Sequence, residues 1–184
     1  MSRTRARPYF TSIDVALTTI FCALWIAMNL TLGPLSFALL RLPVLHSFGI
    51  FFTLILVAWV TGRFGTSTMA GIIGSIFAIL LGAPLLIVCF SASAFVFDVL
   101  LFANHHKIRT KRDSLAITAI VTMLSAYLAG VLIILFFQGG GLLYALTFWG
   151  VWTLAGGVLA LVITLPIIVA LEKANVRKIK GDTD

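Results

Sequence analysis

The chain has 184 residues, 61% of them hydrophobic and 10% charged, with a net charge of +7. A soluble domain carries about 25% charged residues, and a globule this small has too much surface to hide so many apolar side chains; the composition fits lipid as the solvent. The basic residues form no stripe interleaved with aromatics, so the positive charge reads as membrane topology and not as a nucleic-acid surface.

The predicted elements follow from where charges and helix breakers interrupt the apolar sequence. A spanning helix needs about 20 apolar residues. Residues 15–40 carry no charge, Arg41, Arg63 and Asp98 end successive blocks, and residues 114–171 carry none. Gly82-Ala83-Pro84 divides one block, because proline lacks an amide hydrogen and restrains the residue before it. Gly139-Gly140-Gly141 divides the last block in the same spirit. The fold class is therefore all-α, a polytopic membrane protein of one domain with no internal repeat. Six spans are expected, at about 13–32, 44–62, 65–82, 84–104, 114–137 and 146–171. Residues 1–12 and 173–184 are expected as cytoplasmic tails. The N-terminal Met-Ser-Arg-Thr-Arg-Ala-Arg-Pro resembles a signal-peptide n-region, but the apolar run behind it is longer than such a peptide needs, so a retained first span is expected. A loop is expected between the first two spans, from Gly33 to His46, as part of a small-molecule site.

Orientation follows from the basic residues. With the N-terminus inside, Arg3, Arg5, Arg7, Arg63, Lys107, Arg109, Lys111, Arg112, Lys173, Arg177, Lys178 and Lys180 all fall inside, and Arg41 alone falls outside. That asymmetry is what the positive-inside rule describes. Both termini are expected in the cytoplasm. Cys22 and Cys89 sit in apolar runs and read as small buried hydrophobes, not as a disulfide.

Small residues at spacing four let helices approach closely in lipid. The third span has Ala70, Gly74, Ala78 and Gly82, and the fifth has Ala126 and Gly130. Both read as internal packing ridges. The first span has Ala23 and Ala27, with Ala16 a heptad before Ala23. Here the chain resembles a known family. Six short helices, both ends inside, a basic cytoplasmic rim, Ala23-x-x-x-Ala27, the stretch Arg41-Leu-Pro-Val-Leu-His-Ser-Phe-Gly-Ile-Phe-Phe and the turn Gly62-Arg-Phe-Gly65 are similar to the substrate-binding (S) component of an energy-coupling factor transporter. The resemblance implies a substrate-capture subunit in the plasma membrane that binds a small, vitamin-like molecule from outside. It implies that Ala23 and Ala27 dock on a transmembrane coupling subunit driven by two ATPase subunits. No phosphate-binding Gly-x-x-x-x-Gly-Lys-Ser/Thr loop occurs, so ATP use would belong to those partners. The metal-specific branch of that family carries an N-terminal Met-His; residue 2 here is Ser, so no metal and no cofactor are expected.

Several residues are candidates for binding. Arg41 reads either as a snorkelling side chain or as a contact for an anionic ligand group. His46 and Asn29 read either as internally bonded polar groups or as ligand contacts. Tyr144, Trp149 and Trp152 are an interfacial aromatic belt or stacking faces for a flat ligand. Gln138 lines the same space or caps a turn. Asp98 is an acid well inside a span, which is costly. It reads as half of an ion pair, with Arg63 or Lys107, or as a proton site. No nucleophile–base set, Gly-x-Ser-x-Gly or His-Glu-x-x-His occurs, so an enzyme is not expected. Two alternatives stay open: a stand-alone proton-coupled carrier using Asp98, and a scaffold that transports nothing.

Overall fold

The structure, a computed structural model, describes residues 9–106, 108 and 112–174. Every regular element among them is helical. The helices are α1 (Ser12–Leu40), α2 (Val44–Thr61), α3 (Thr66–Leu80), α4 (Leu85–Asn104), α5 (Arg112–Gln138) and α6 (Leu142–Lys173). All but α3 are long and apolar enough to cross a membrane. The 15 residues of α3 reach about 22 Å at 1.5 Å per residue, short of a hydrocarbon layer of roughly 30 Å. The basic positions 3, 5, 7, 107, 109, 111, 177, 178 and 180 lie outside the described residues.

The bundle is built around α2, which contacts each of the other five helices. The others follow around it in the order α1, α3, α4, α5, α6. Ile50, Phe51, Leu54 and Ile55 of α2 are fully buried, as are Trp25 of α1 and Phe90 and Phe97 of α4. Side chains this bulky come closest to a neighbouring helix where its backbone lacks a Cβ, and several glycines mark such places. A Cβ on Gly74 would sit 2.5 Å from Cδ1 of Trp25, so α3 seats the indole of α1 directly on its backbone. A Cβ on Gly71 would meet that of Ala94 at 2.7 Å, and one on Gly157 would meet that of Ala126 at 2.6 Å. Ala70, Gly74 and Ala78 are buried, as are Ala126 and Gly130, which is the internal packing expected of those ridges. Gly82 departs from its ridge: it is exposed at φ +99° and turns the chain out of α3.

The main departure from expectation is the loop placed at 33–46. The chain stays helical through Gly33-Pro34 to Leu40, and the turn is only residues 41–43. Proline removes one donor and leaves the carbonyl four residues earlier without its partner, a loss that membrane helices tolerate when neighbours compensate. Arg41 closes α1 in the left-handed conformation at φ 54°, its N–H reaching the Phe37 carbonyl. Ser36 then staples the turn: its hydroxyl donates to the Leu42 carbonyl and accepts from the Leu45 N–H at 3.0 Å. Asn29 is consequently eleven residues below the end of α1, about 16 Å along the helix, whereas the expected first span ended at about residue 32.

Charged side chains gather at the opposite end. Thr11 and Asp14 form a capping box at the start of α1, satisfying N–H groups that a helix start leaves open. Arg63, in the α2–α3 turn, pairs with the fully buried Asp14 at 3.1 Å. The Trp59 indole donates to Glu172 at 3.1 Å. Arg41 is the one charged residue at the other end among those described.

Candidate functional site

Two polar constellations lie inside this apolar bundle. The first sits between α1, the start of α2 and the α3–α4 turn. The Asn29 side-chain N–H2 donates to the Trp25 carbonyl at 2.8 Å, which turns its Oδ1 toward α2. Nε2 of His46 lies 2.6 Å from that Oδ1. Both residues are 4% exposed. The His46 ring packs on Phe90 of α4 with centroids 4.9 Å apart, and Nδ1 of His46 is buried without a partner. The imidazole faces Gly33, where even a Cβ would meet its Cδ2 at an ordinary contact distance of 3.6 Å.

Asn29 and His46 form the polar part of a cavity of about 180 Å³. Leu30, Pro34 and Phe37 wall it from α1, Leu86 and Ile87 from α4, and Gly82-Ala83-Pro84 close it from the α3–α4 turn. Among the described residues no charged one lines it. The turn is held in place by two backbone bonds, Gly82 N–H to Ile79 and Ala83 N–H to Ala78, the ending that a positive-φ glycine permits. A mostly apolar cavity with a few convergent polar groups is the usual form of a small-molecule site.

The other expected contacts distribute unevenly around this cavity. Trp149 stands behind the Phe37 wall: its ring is 6.3 Å from that of Phe37, and its indole N–H donates to the Tyr144 hydroxyl at 3.2 Å. Tyr144, Phe148 and Trp152 run along one side of α6, the first two stacked at 5.3 Å. Tyr144 and Gln138 are exposed and Trp152 half-buried. Arg41 is exposed at the tip of α1. None of Arg41, Gln138, Tyr144, Trp149 and Trp152 lines the cavity. Gly33, Pro34, Phe37 and His46 come from the segment expected to contribute to a small-molecule site. Gly82-Ala83-Pro84 was expected only as a helix break, and its signal for the site is a second proline at the same end of the bundle.

The second constellation is at the charged end. Oδ2 of Asp98, a fully buried residue of α4, accepts from the Gly65 N–H at 3.1 Å, the Thr68 N–H at 2.7 Å and the Thr68 hydroxyl at 2.7 Å. Gly65 is the N-cap of α3 and has no side chain to cap with. Asp98 does this from the neighbouring helix, placing a negative charge on the positive end of α3. The expected pairing with Arg63 is replaced by this cap, since Arg63 is engaged by Asp14; Lys107, the other expected partner, lies outside the described residues. His106 follows α4 in the left-handed region and is buried. Burial lowers its pKa, with the Asp98 carboxylate acting the other way, and neither ring nitrogen has a hydrogen-bond partner among the described residues.

On the outer face of the bundle, Ala16, Ala23 and Ala27 are all exposed. Ala23 lies on a groove of about 300 Å³ between α1 and α3, with Cys22, Ile26, Met69, Ile73 and Phe77. Among the described residues no group of three or more His, Cys, Asp or Glu side chains is placed to hold a metal ion. No protein-family model matches the chain, and neither does any curated protein or solved structure.

Proposed function

We propose that this chain is the substrate-capture subunit of an energy-coupling-factor-type importer. Six spans with both termini in the cytoplasm put the cavity toward the outside of the plasma membrane and the charged end toward the cytoplasm. A small, vitamin-like molecule enters near Phe37 and Trp149 and is held by Asn29 and His46. Ala23 and Ala27 dock a transmembrane coupling subunit, and two ATPase subunits drive release.

The observation that carries this reading is the Asn29–His46 cavity of about 180 Å³, at the end of the bundle remote from the charged rim. A polar pair this deep in an apolar bundle is costly unless it has work to do. The uncovered Ala16, Ala23 and Ala27 on α1 lend support. The test is affinity purification of the tagged chain from its native membrane in mild detergent, followed by mass spectrometry of proteins and retained small molecules. A coupling subunit, ATPases and a bound metabolite are expected. Recovery of the chain with none of these overturns the proposal.

A second reading, the self-sufficient proton-coupled carrier, is favoured by one observation: the buried Asp98 carboxyl and the buried His106 imidazole lie close enough to interact electrostatically. Uptake into liposomes by the chain alone, abolished by Asp98→Asn, would select it.

A further inference from the structure

We infer that the cavity is filled from the side, out of the lipid, by a neutral lipophilic molecule about the size of one substituted ring. This rests on the capture reading above and names the substrate class.

The route follows from the length of α3. Arg63, just before α3, pairs with Asp14 near the start of α1, so the two helices rise in the same direction. Trp25 and Gly74 share a level, since a Cβ on Gly74 would lie 3.1 Å from that of Trp25. From there α3 runs six residues to Leu80 and α1 fifteen to Leu40. At 1.5 Å per residue, α1 overtops the α3–α4 turn by about 14 Å. Because α3 stands between α1 and α4 in the ring around α2, its early end leaves a gap in the wall of the bundle, and the cavity lies there. Asn29, Gly33 and His46 are buried at its inner end, whereas Pro34, Phe37, Gly82 and Pro84 are exposed and form its rim.

The rim lies at hydrocarbon depth. Pro34 is seven residues below Arg41, about 10 Å, inside the outer half of a hydrocarbon layer of roughly 30 Å. The α3–α4 turn itself suits lipid. Arg41, Arg63, His105 and Gln138 stand at or beside the other connections, but Phe77 to Val88 has no polar side chain. The N–H groups of Leu81, Gly82 and Ala83 all return to carbonyls of α3, and Pro84 has none. A turn with its donors satisfied in this way can sit where water is absent. In water, Leu80, Leu81 and Leu85, at 74%, 63% and 64% exposed, would form an apolar patch of the kind soluble surfaces avoid.

The interior selects the same chemistry. The Asn29 amide donates to the Trp25 carbonyl, and its Oδ1 faces His46 Nε2 at 2.6 Å, so the polar pair is engaged with its own helices. Leu30, Phe37, Leu86 and Ile87 supply apolar walls. Among the described residues no charged one lines the space, so an ion there would shed water with nothing of opposite sign in return. A dry protein cavity of about 150 Å³ takes a benzene ring, and about 180 Å³ admits a ring with a substituent.

The test has two arms, both on the full chain in phosphatidylcholine nanodiscs. In the first, a nitroxide is attached at Leu81→Cys in a Cys22→Ala, Cys89→Ala background. Paramagnetic resonance then compares its collisions with oxygen, which concentrates in lipid, and with a water-soluble nickel chelate. Oxygen is expected to dominate at Leu81→Cys and the chelate at Arg41→Cys. In the second, thermal unfolding is followed with toluene, benzoate and benzylammonium, which share one ring and differ in charge. Toluene is expected to raise Tm and to bind at least about tenfold tighter than either ion. Ala83→Leu, which narrows the cavity from the turn, is expected to abolish the toluene shift; the spin-label arm decides if that variant does not fold. A label at position 81 dominated by the chelate, no toluene shift, a toluene shift undiminished in Ala83→Leu, or tighter binding of either ion overturns the inference and leaves the capture reading standing. The capture reading falls separately, whatever toluene does, if the chain purified from its native membrane brings neither a coupling subunit nor a small molecule.

Discussion

Replacing Asp98 separates two accounts of a buried acid. As an ion-pair partner it would depend on a nearby cation. As the cap of α3 it depends on two backbone N–H groups and one hydroxyl, at 2.7 to 3.1 Å. Asp98→Ala leaves the Gly65 and Thr68 N–H groups without an acceptor where Asp98 is fully buried. Each such orphan costs about 1–3 kcal/mol, so the substitution should destabilise by roughly 3–5 kcal/mol. The Thr68 hydroxyl adds little, since it can turn back onto its own helix. Asp98→Asn keeps an acceptor oxygen and loses the charge on the helix end, a loss of about 1–2 kcal/mol. Reversible unfolding of the solubilised chain, with hydrogen exchange at residues 65–69, should rank wild type above Asn above Ala and open the start of α3 first. Double-mutant cycles give the decisive comparison. Asp98 with Thr68→Val should couple by about 1 kcal/mol or more, and Asp98 with Arg63→Met by less than about 0.5 kcal/mol. A larger coupling to Arg63 than to Thr68, or an Asp98→Ala variant within about 1 kcal/mol of wild type, would refute the cap.

Other consequences are equally direct. Gly74→Val should cost about 1–3 kcal/mol by overpacking, because its Cβ would sit 2.5 Å from the Trp25 ring; Trp25→Leu in the same chain should recover part of the loss in a melting curve. Because burial lowers the His106 pKa below its ordinary value near 6.5, the unfolded chain binds the extra proton first as pH falls. Stability should be full above about pH 6.5 and decline below it, and denaturation midpoints at pH 7.5 and 5.5 should differ less in His106→Gln than in wild type. Nitrogen-15 spectra of histidine-labelled protein should show the Nε2–H tautomer for His46, and Asn29→Leu should abolish that preference; an Nδ1–H tautomer in the wild type would contradict the hydrogen-bond assignment.

Much of the architecture was legible because lipid leaves a chain few options. Charges are driven out of the hydrocarbon and backbone groups must be satisfied within each helix. The uncharged runs 42–62 and 64–97 accordingly hold α2, α3 and most of α4, and the small residues of α3 and α5 became packing surfaces. The segment 33–40 misled for a specific reason. Gly33 and Pro34 read as a break on local propensity, yet the helix continues past them, with His46 packed on Gly33 and the Ser36 hydroxyl accepting from the Leu45 N–H. Both contacts come from α2.

By itself the sequence determined that the chain is helical, apolar enough for a membrane, and charged chiefly at one end of its helices. Those are consequences of composition and order along a single strand of residues. Tertiary structure alone decided that Asn29 meets His46 across 17 positions, that Asp98 caps α3 from 30 positions away, and that Arg63 belongs to Asp14. Which helices become neighbours, and at what rotation, depends on how all their surfaces interlock at once, and no local pattern in the sequence carries that information.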